Sequence, residues 1–418
     1  MGTNTKTLRL NRKVIGPGLP RPVTLEPRRV SDFPHVAAAH LDLARLITSP
    51  LLLGPPLCDE LVALVRHTYT EEEASLARHL DGIRGKTAAE VARFEHRTTD
   101  EVLPILKRMA FEKFILGADA GKGVKRRFKL MPLMPGLFEN VLIGQHPETI
   151  SPWHVRFAEL FEALYETGYV TGFGNREMKL VRFLPLSKVV TTNPAALPSD
   201  KMEVILDRYD SFGVGQCQCR MATRIAGEGC DKPLSNCMAM GGIADTMIRQ
   251  GQMKRVSRAE ALEIKFEAEQ YGLVSWIMNV ENSKGQVSCS CCGCCCHAMR
   301  SINEFNTPAS WAPPHFLPRF DREQCDYCGK CARICPMGSL VVDTKQKRAW
   351  QTQERCIGCG LCSLACDKRK AITMEPVPDY RLPPESWYAM IAQTGGAFVR
   401  NLTSAYWSRN PVATWWKR

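Results

Sequence analysis

Eight cysteines toward the end of the chain obey one rule twice. Cys325, Cys328, Cys331 and Cys335, then Cys356, Cys359, Cys362 and Cys366, each run C-x2-C-x2-C-x3-C, and each member of the second run lies 31 positions after its counterpart. Two motifs at a constant offset make an internal repeat, and a chance match is negligible. A chain built this way must turn three thiols inward within seven residues and place a fourth on the segment that follows.

The other cysteines sharpen the point. Of the nineteen, eighteen follow Gln216, so the first half of the chain is nearly free of them. Met1 to Thr24 is basic and lacks the apolar core of a secretory signal, and position 6 is lysine where myristoylation wants serine or threonine. The expected compartment is the cytoplasm, where thiols stay reduced and clustered cysteines point to metal, not disulfides. The greasiest stretch, Leu51 to Leu57, is broken by Gly54, Pro55 and Pro56, so no transmembrane segment is expected. With 418 residues, 44% apolar and 23% charged, the composition fits a globular protein of two to four domains.

Soft thiolates select iron–sulfur clusters, zinc or Cu(I). The doubled spacing suits a loop wound around a cube of iron and sulfide, with backbone amides aimed at the sulfurs. Structural zinc fits it poorly, because zinc sites usually pair two C-x2-C units. Residues 316–376 closely resemble the bacterial two-cluster 4Fe-4S ferredoxin family through these eight cysteines and Pro336. The resemblance implies one-electron transfer between two neighbouring 4Fe-4S clusters, with each fourth cysteine serving the other cluster. One would be held by Cys325, Cys328, Cys331 and Cys366, the other by Cys356, Cys359, Cys362 and Cys335. Tyr327, Ile334, Ile357 and Leu361 are expected to exclude water from them. Asp367 departs from the family, which commonly has proline there.

Ten further cysteines precede this module: Cys217, Cys219, Cys230, Cys237, Cys289, Cys291, Cys292, Cys294, Cys295 and Cys296, with His297 next in line. Ser257 and Glu260 cap a helix to about Gln270, and a hairpin over Leu273 to Cys289 would bring the later cysteines back toward Cys217. A further iron–sulfur cluster is the leading reading, with structural zinc and reactive thiols as alternatives. Cys291, Cys292 and Gly293 are similar to the cysteine-rich motif of heterodisulfide reductase catalytic subunits, which hold non-cubane clusters. The order of segments also resembles a group of iron–sulfur proteins of anaerobic metabolism. Arg220, beside Cys219, is placed to neutralise thiolate charge or to form a surface ion pair. Cys58 stands apart as a small buried residue.

The expected fold class is α+β and multi-domain: a basic arm over 1–30, a helical, winged-helix-like domain over 31–187, a cysteine-rich domain over 188–310, the dicluster domain over 316–376 and a Pro/Trp-rich tail over 377–418. Capping boxes at Thr70/Glu73 and Thr87/Glu90, a third helix over Asp100 to Lys113, and strands at Phe114–Leu116 and Arg126–Leu130 carry the winged-helix reading. The net charge of +12 concentrates as +6 in residues 1–30, +5 in residues 121–131 and +3 in the tail. These patches suit an acidic partner, nucleic acid or anionic lipid, with Trp387, Trp407, Trp415 and Trp416 adding an aromatic element at the end. The third helix offers mainly Lys107 and Arg108 for base edges, which favours a protein partner over DNA. The expectation is therefore an electron-transfer protein serving a partner oxidoreductase. The alternatives are a reductase with its active site at the cysteine-rich cluster and an iron–sulfur-sensing DNA-binding protein.

Overall fold

The computed structural model describes residues 8–11, 14–49, 52–119, 121–173, 179–307, 311–390 and 392–393. These fall into two compact units, one within residues 23–172 and one made of the described residues before 23 together with those from 173 to 393. The chain opens with an antiparallel hairpin of β1 (Leu8–Asn11) and β2 (Val14–Pro17). It belongs to the second unit although it opens the chain.

Unit 23–172 holds α1 (Ala38–Ile47), α2 (Asp59–Thr68), α3 (Glu71–Ala77), β3 (Lys86–Thr87), α4 (Ala88–Phe94), α5 (Thr99–Phe111), β4 (Gly117–Ala118), β5 (Arg127–Lys129), α6 (Phe138–Leu142) and α7 (Pro152–Glu166). Three helices start alike: the Thr70, Thr87 and Thr98 hydroxyls each accept a hydrogen bond from an amide three residues on, and the Glu73, Glu90 and Glu101 carboxylates accept one from the threonine amides. The third of these boxes, Thr98 with Glu101, starts α5. On α5, Val102, Leu106 and Met109 form a fully buried stripe. The three short strands pair in the order β3-β5-β4. The strand expected at Phe114–Leu116 begins instead at Gly117, because Phe114 takes a left-handed backbone (φ 55°) that breaks extended pairing.

The other unit is built on a six-stranded antiparallel sheet, with strands β6 (Val181–Phe183), β7 (Phe212–Gly215), β8 (Cys237–Gly241), β9 (Lys254–Val256), β10 (Val274–Met278) and β11 (Gly285–Cys291) in the order β6-β10-β11-β8-β7-β9. Between them run α8 (Ser187–Val190), α9 (Met202–Leu206), α10 (Gln218–Ile225), α11 (Gly242–Arg249) and α12 (Arg258–Gln270), and α13 (His297–Phe305) follows. The sheet draws in Val181–Phe183, ahead of the cysteine-rich stretch proper. Register does the placing: Gly215 sits opposite Cys237 and Ser288 opposite Met238, so Cys217 just beyond β7, Cys237 in β8 and Cys289 in β11 come to one end of the sheet.

After it come β12 (Phe316–Phe320), α14 (Lys330–Ile334), β13 (Leu340–Asp343), β14 (Arg348–Gln351), α15 (Leu361–Ala365) and β15 (Ile372–Pro376). Both short helices obey the 31-residue offset, and β12 closes the module by pairing with β15. The opening hairpin completes it from the far end of the chain. Ile15 in β2 lies opposite Val342 and packs, buried, with Leu340, Val342 and Ile372. Part of the basic arm is thus structural.

Candidate metal centres

Each ferredoxin-type loop ends in a glycine with a left-handed backbone, Gly329 (φ 74°) and Gly360 (φ 81°), which caps the helix carrying the next cysteine. Side chains rarely adopt that conformation, and a Cβ would also strike Ile15 or Val189 at 2.4 Å. The two turns curl their thiols inward. Cys335, Cys356, Cys359 and Cys362 line one cavity with Ile357, Leu361, Leu340 and Met374. Cys331 and Cys366 each feel the charges of Cys325 and Cys328. The two groups differ in exposure: Cys328 is exposed, whereas Cys359 and Cys362 are buried. Backbone amides already point at sulfur, from Tyr327 to Cys325 at 3.4 Å and from Ser339 to Cys335 at 3.3 Å. Ile357 and Leu361 are buried as expected, but Ile334 is 42% exposed, because it ends α14 on the solvent side.

All ten upstream cysteines gather within the sheet unit and divide in two. Cys230, Cys292, Cys294 and Cys295 close into a tetrad whose sulfurs all lie within 4.8 Å of one another. The loop after α10 supplies Cys230, and the turn after β11 supplies the other three. Elsewhere Cys237 and Cys289 are hydrogen bonded at 3.8 Å, and Cys289, Cys291, Cys296 and Cys219 continue from them as a string of neighbouring, interacting thiols. Cys217 is buried within range of Cys289 and Cys292, and His297 Nδ1 lies 3.3 Å from Cys219 Sγ. Burial pushes the Cys217 and Cys331 thiols up to about 12, so ligation there would expel a proton at neutral pH.

Two buried cations face these sulfurs. Arg220, 0% exposed, donates to Pro233 O (3.0 Å), Asn236 Oδ1 (2.8 Å), Ser290 O (3.2 and 3.3 Å) and Cys292 Sγ (3.5 Å). Lys265, 1% exposed, donates to Ser288 O (2.8 Å) and Ser290 Oγ (3.1 Å). Among the described residues neither hydrogen bonds to a carboxylate. A buried cation without a counter-charge is strongly disfavoured, so sulfur must supply the negative charge. Burial alone would lower the Arg220 pKa, yet the Cys217 and Cys292 thiolates raise it, while burial draws Lys265 down to about 8. Lys265 was missed in the sequence, although it stands on the buried Ala261/Ala268 stripe of α12, where a lysine needs a reason.

A short junction ties the two regions. Gly293 lies so near Pro336 that a Cβ would sit 2.0 Å from the Pro336 carbonyl oxygen. The Asn303 amide donates to Gly293 O (3.0 Å) and to Pro336 O (2.8 Å), and Arg355 donates to Asn303 Oδ1 (3.2 Å) and Met337 O (2.9 Å). Cys291, Cys296 and Cys359 belong to one apolar cluster with Met299, Met337 and Ile357, and Cys289 and Cys335 pack against it. No sequence pattern marked Asn303 or Arg355.

In the other unit the basic hairpin is partly committed. Arg127 pairs with Glu90 (3.1 Å), and Arg126 donates to Gly121 O (2.6 Å) and lies over Phe111, leaving Lys122, Lys125 and Lys129 exposed. Arg108, on the third helix, pairs with Glu73 (3.5 Å). Cys58 is fully buried at the start of α2, its thiol pushed up to about 12 by burial. Trp387 lies just inside the described tail, and Trp407, Trp415 and Trp416 lie outside the described residues.

The family model of a 4Fe-4S dicluster domain matches residues 317–367. No curated protein and no solved structure matches the chain. The dicluster domain and the grouped cysteines support iron–sulfur clusters and point to iron–sulfur electron transfer. No helix among the described residues is long and apolar enough to cross a membrane.

Proposed function

We propose that this chain passes single electrons between a partner oxidoreductase and a buried cysteine-rich centre. Cys325, Cys328, Cys331 and Cys366 would hold an outer 4Fe-4S cluster, and Cys335, Cys356, Cys359 and Cys362 an inner one. Cys217, Cys219, Cys237, Cys289, Cys291 and Cys296 would hold a further iron–sulfur cluster, since a string of thiols suits several irons better than one ion. One-electron storage and release is the chemistry such clusters supply when bound.

The chain's own residues do the rest. Cys328 keeps the outer group open to a docking partner, while Ile357, Leu361 and Met374 keep the inner group dry. Lys265 and Arg220 offset thiolate charge. The observation that carries the reading is the junction at Gly293 and Pro336, which sets the inner ferredoxin thiols and the upstream thiols in one apolar cluster. The exposed lysines of the 121–131 hairpin suit an acidic protein surface.

Rapid-mixing EPR of the anaerobic protein with a low-potential reductant tests it. Reduction should appear first in the ferredoxin-type signals and then in a third signal. Gly293→Val, which wedges the junction, should slow only the second phase. A third signal that is absent, or as fast in Gly293→Val, would sink the proposal.

A further inference from the structure

We infer that Cys230, Cys292, Cys294 and Cys295 form a separate site for one zinc ion, distinct from every iron–sulfur centre in the chain. Sulfur–sulfur edge lengths separate the two kinds of site. A tetrahedral ion with Zn–S bonds of about 2.3 Å sets its four sulfurs about 3.8 Å apart. In a 4Fe-4S cube each thiolate sits on a different iron corner, which holds the sulfurs roughly 6 Å apart. The tetrad measures 3.8 Å from Cys230 to Cys292, 3.7 Å from Cys230 to Cys295 and 3.7 Å from Cys294 to Cys295. Those are the edges of a single-ion site. Among the described residues no other three such donor atoms close to within the same 4.8 Å, the ferredoxin-type quartets included.

The surroundings agree with a structural ion. Ala268 and Leu273 back the tetrad in a small apolar cluster. Arg224 clamps the loop that brings in Cys230, donating to Cys230 O at 2.7 Å and to Lys232 O at 2.6 Å. Four thiolates around a divalent ion leave a net charge of minus two, and the Arg220 guanidinium at 3.5 Å from Cys292 Sγ offsets part of it. With all four positions taken by protein sulfur, none is left open for substrate, so the ion would pin the Cys292–Cys296 turn that also carries a thiol of the neighbouring group.

Two measurements on the full chain, grown with iron and zinc and purified anaerobically, decide it. Zinc X-ray absorption of the unaltered protein should give about one zinc per chain with four sulfurs at about 2.3 Å. Cys230→Ser and Cys294→Ser should lose that zinc and keep the full iron content, and Cys294→His, a ligand zinc accepts, should retain it. Absence of zinc from fully iron-loaded protein, mononuclear iron in its place, or iron lost in step with Cys230→Ser would each overturn the inference. Because the third EPR signal and the zinc absorption edge are both read on the unaltered protein and report different metals, failure here is distinguishable from failure of the electron-transfer reading.

Discussion

The ferredoxin-type quartets and the Cys230 tetrad use the same donor atom in the same folded unit, yet one arrangement stays open and the other shuts. In the quartets a left-handed glycine stands before each short helix, and in the inner quartet Cys356, Cys359 and Cys362 line a cavity that Cys335 of the other repeat completes. In the tetrad three thiols crowd into four consecutive residues, and a single loop brings the last one within 3.8 Å. What selects the metal is therefore the chain path that sets the sulfur spacing, because the ligand chemistry is identical.

The comparison can be broken most forcefully at a buried quartet thiol. Cys359→Ser should remove about four of about eight ferredoxin-type irons and leave the tetrad's metal untouched. Loss of both metals together, measured by elemental analysis, would mean that the two arrangements are not independent. Cys366→Ser makes the finer cut: loss of the Cys325 group's signal supports exchange of the fourth ligand between repeats, and loss of the Cys356 group's signal contradicts it.

Arg220→Leu comes next. It removes a buried cation from beside Cys292 and should destabilise the sheet unit by about 3–5 kcal/mol, read as a lower denaturant midpoint. An unchanged midpoint would show that the thiols carry no net charge. Asn303→Ala should cost less, about 1–3 kcal/mol, by leaving the Gly293 and Pro336 carbonyls unpaired. Its cost should fall on the junction, slowing the later EPR phase while both metals stay.

The smallest effect serves as a control in unit 23–172. Burial would raise the Glu95 carboxyl, but hydrogen bonds from Ser75, His79 and Arg78 outweigh it and hold the group at about 2. Since this lies below the ordinary carboxylate value, its stabilisation is complete above about pH 4.5 and is lost as pH falls toward 2. Glu95→Gln should weaken that unit slightly at neutral pH and not at pH 2, with metal content unchanged. A change in metal content would mean that the two units are coupled.

Legibility in the sequence followed the same divide. The quartets could be read because their spacing repeats, and the helices of unit 23–172 because threonine and glutamate three apart leave few other starts. The partition of the ten upstream cysteines could not. It depends on the register of β7, β8 and β11, which carries residues seventy positions apart to one place. The opening hairpin was hidden for a similar reason, since its partner strand lies more than three hundred residues away. Asn303 and Arg355 carry no local signature, and their roles exist only once Gly293 meets Pro336.

The central claim is that the eight repeated cysteines hold two iron–sulfur cubes. Mössbauer spectroscopy of protein grown on isotopically enriched iron, before and after reduction, tests it directly. About eight irons per chain in valence-delocalised 4Fe-4S environments, over and above the iron of the upstream thiols, should be present and should be lost when both repeats are mutated. Iron confined to isolated tetrahedral sites, or zinc filling the quartets, would contradict it.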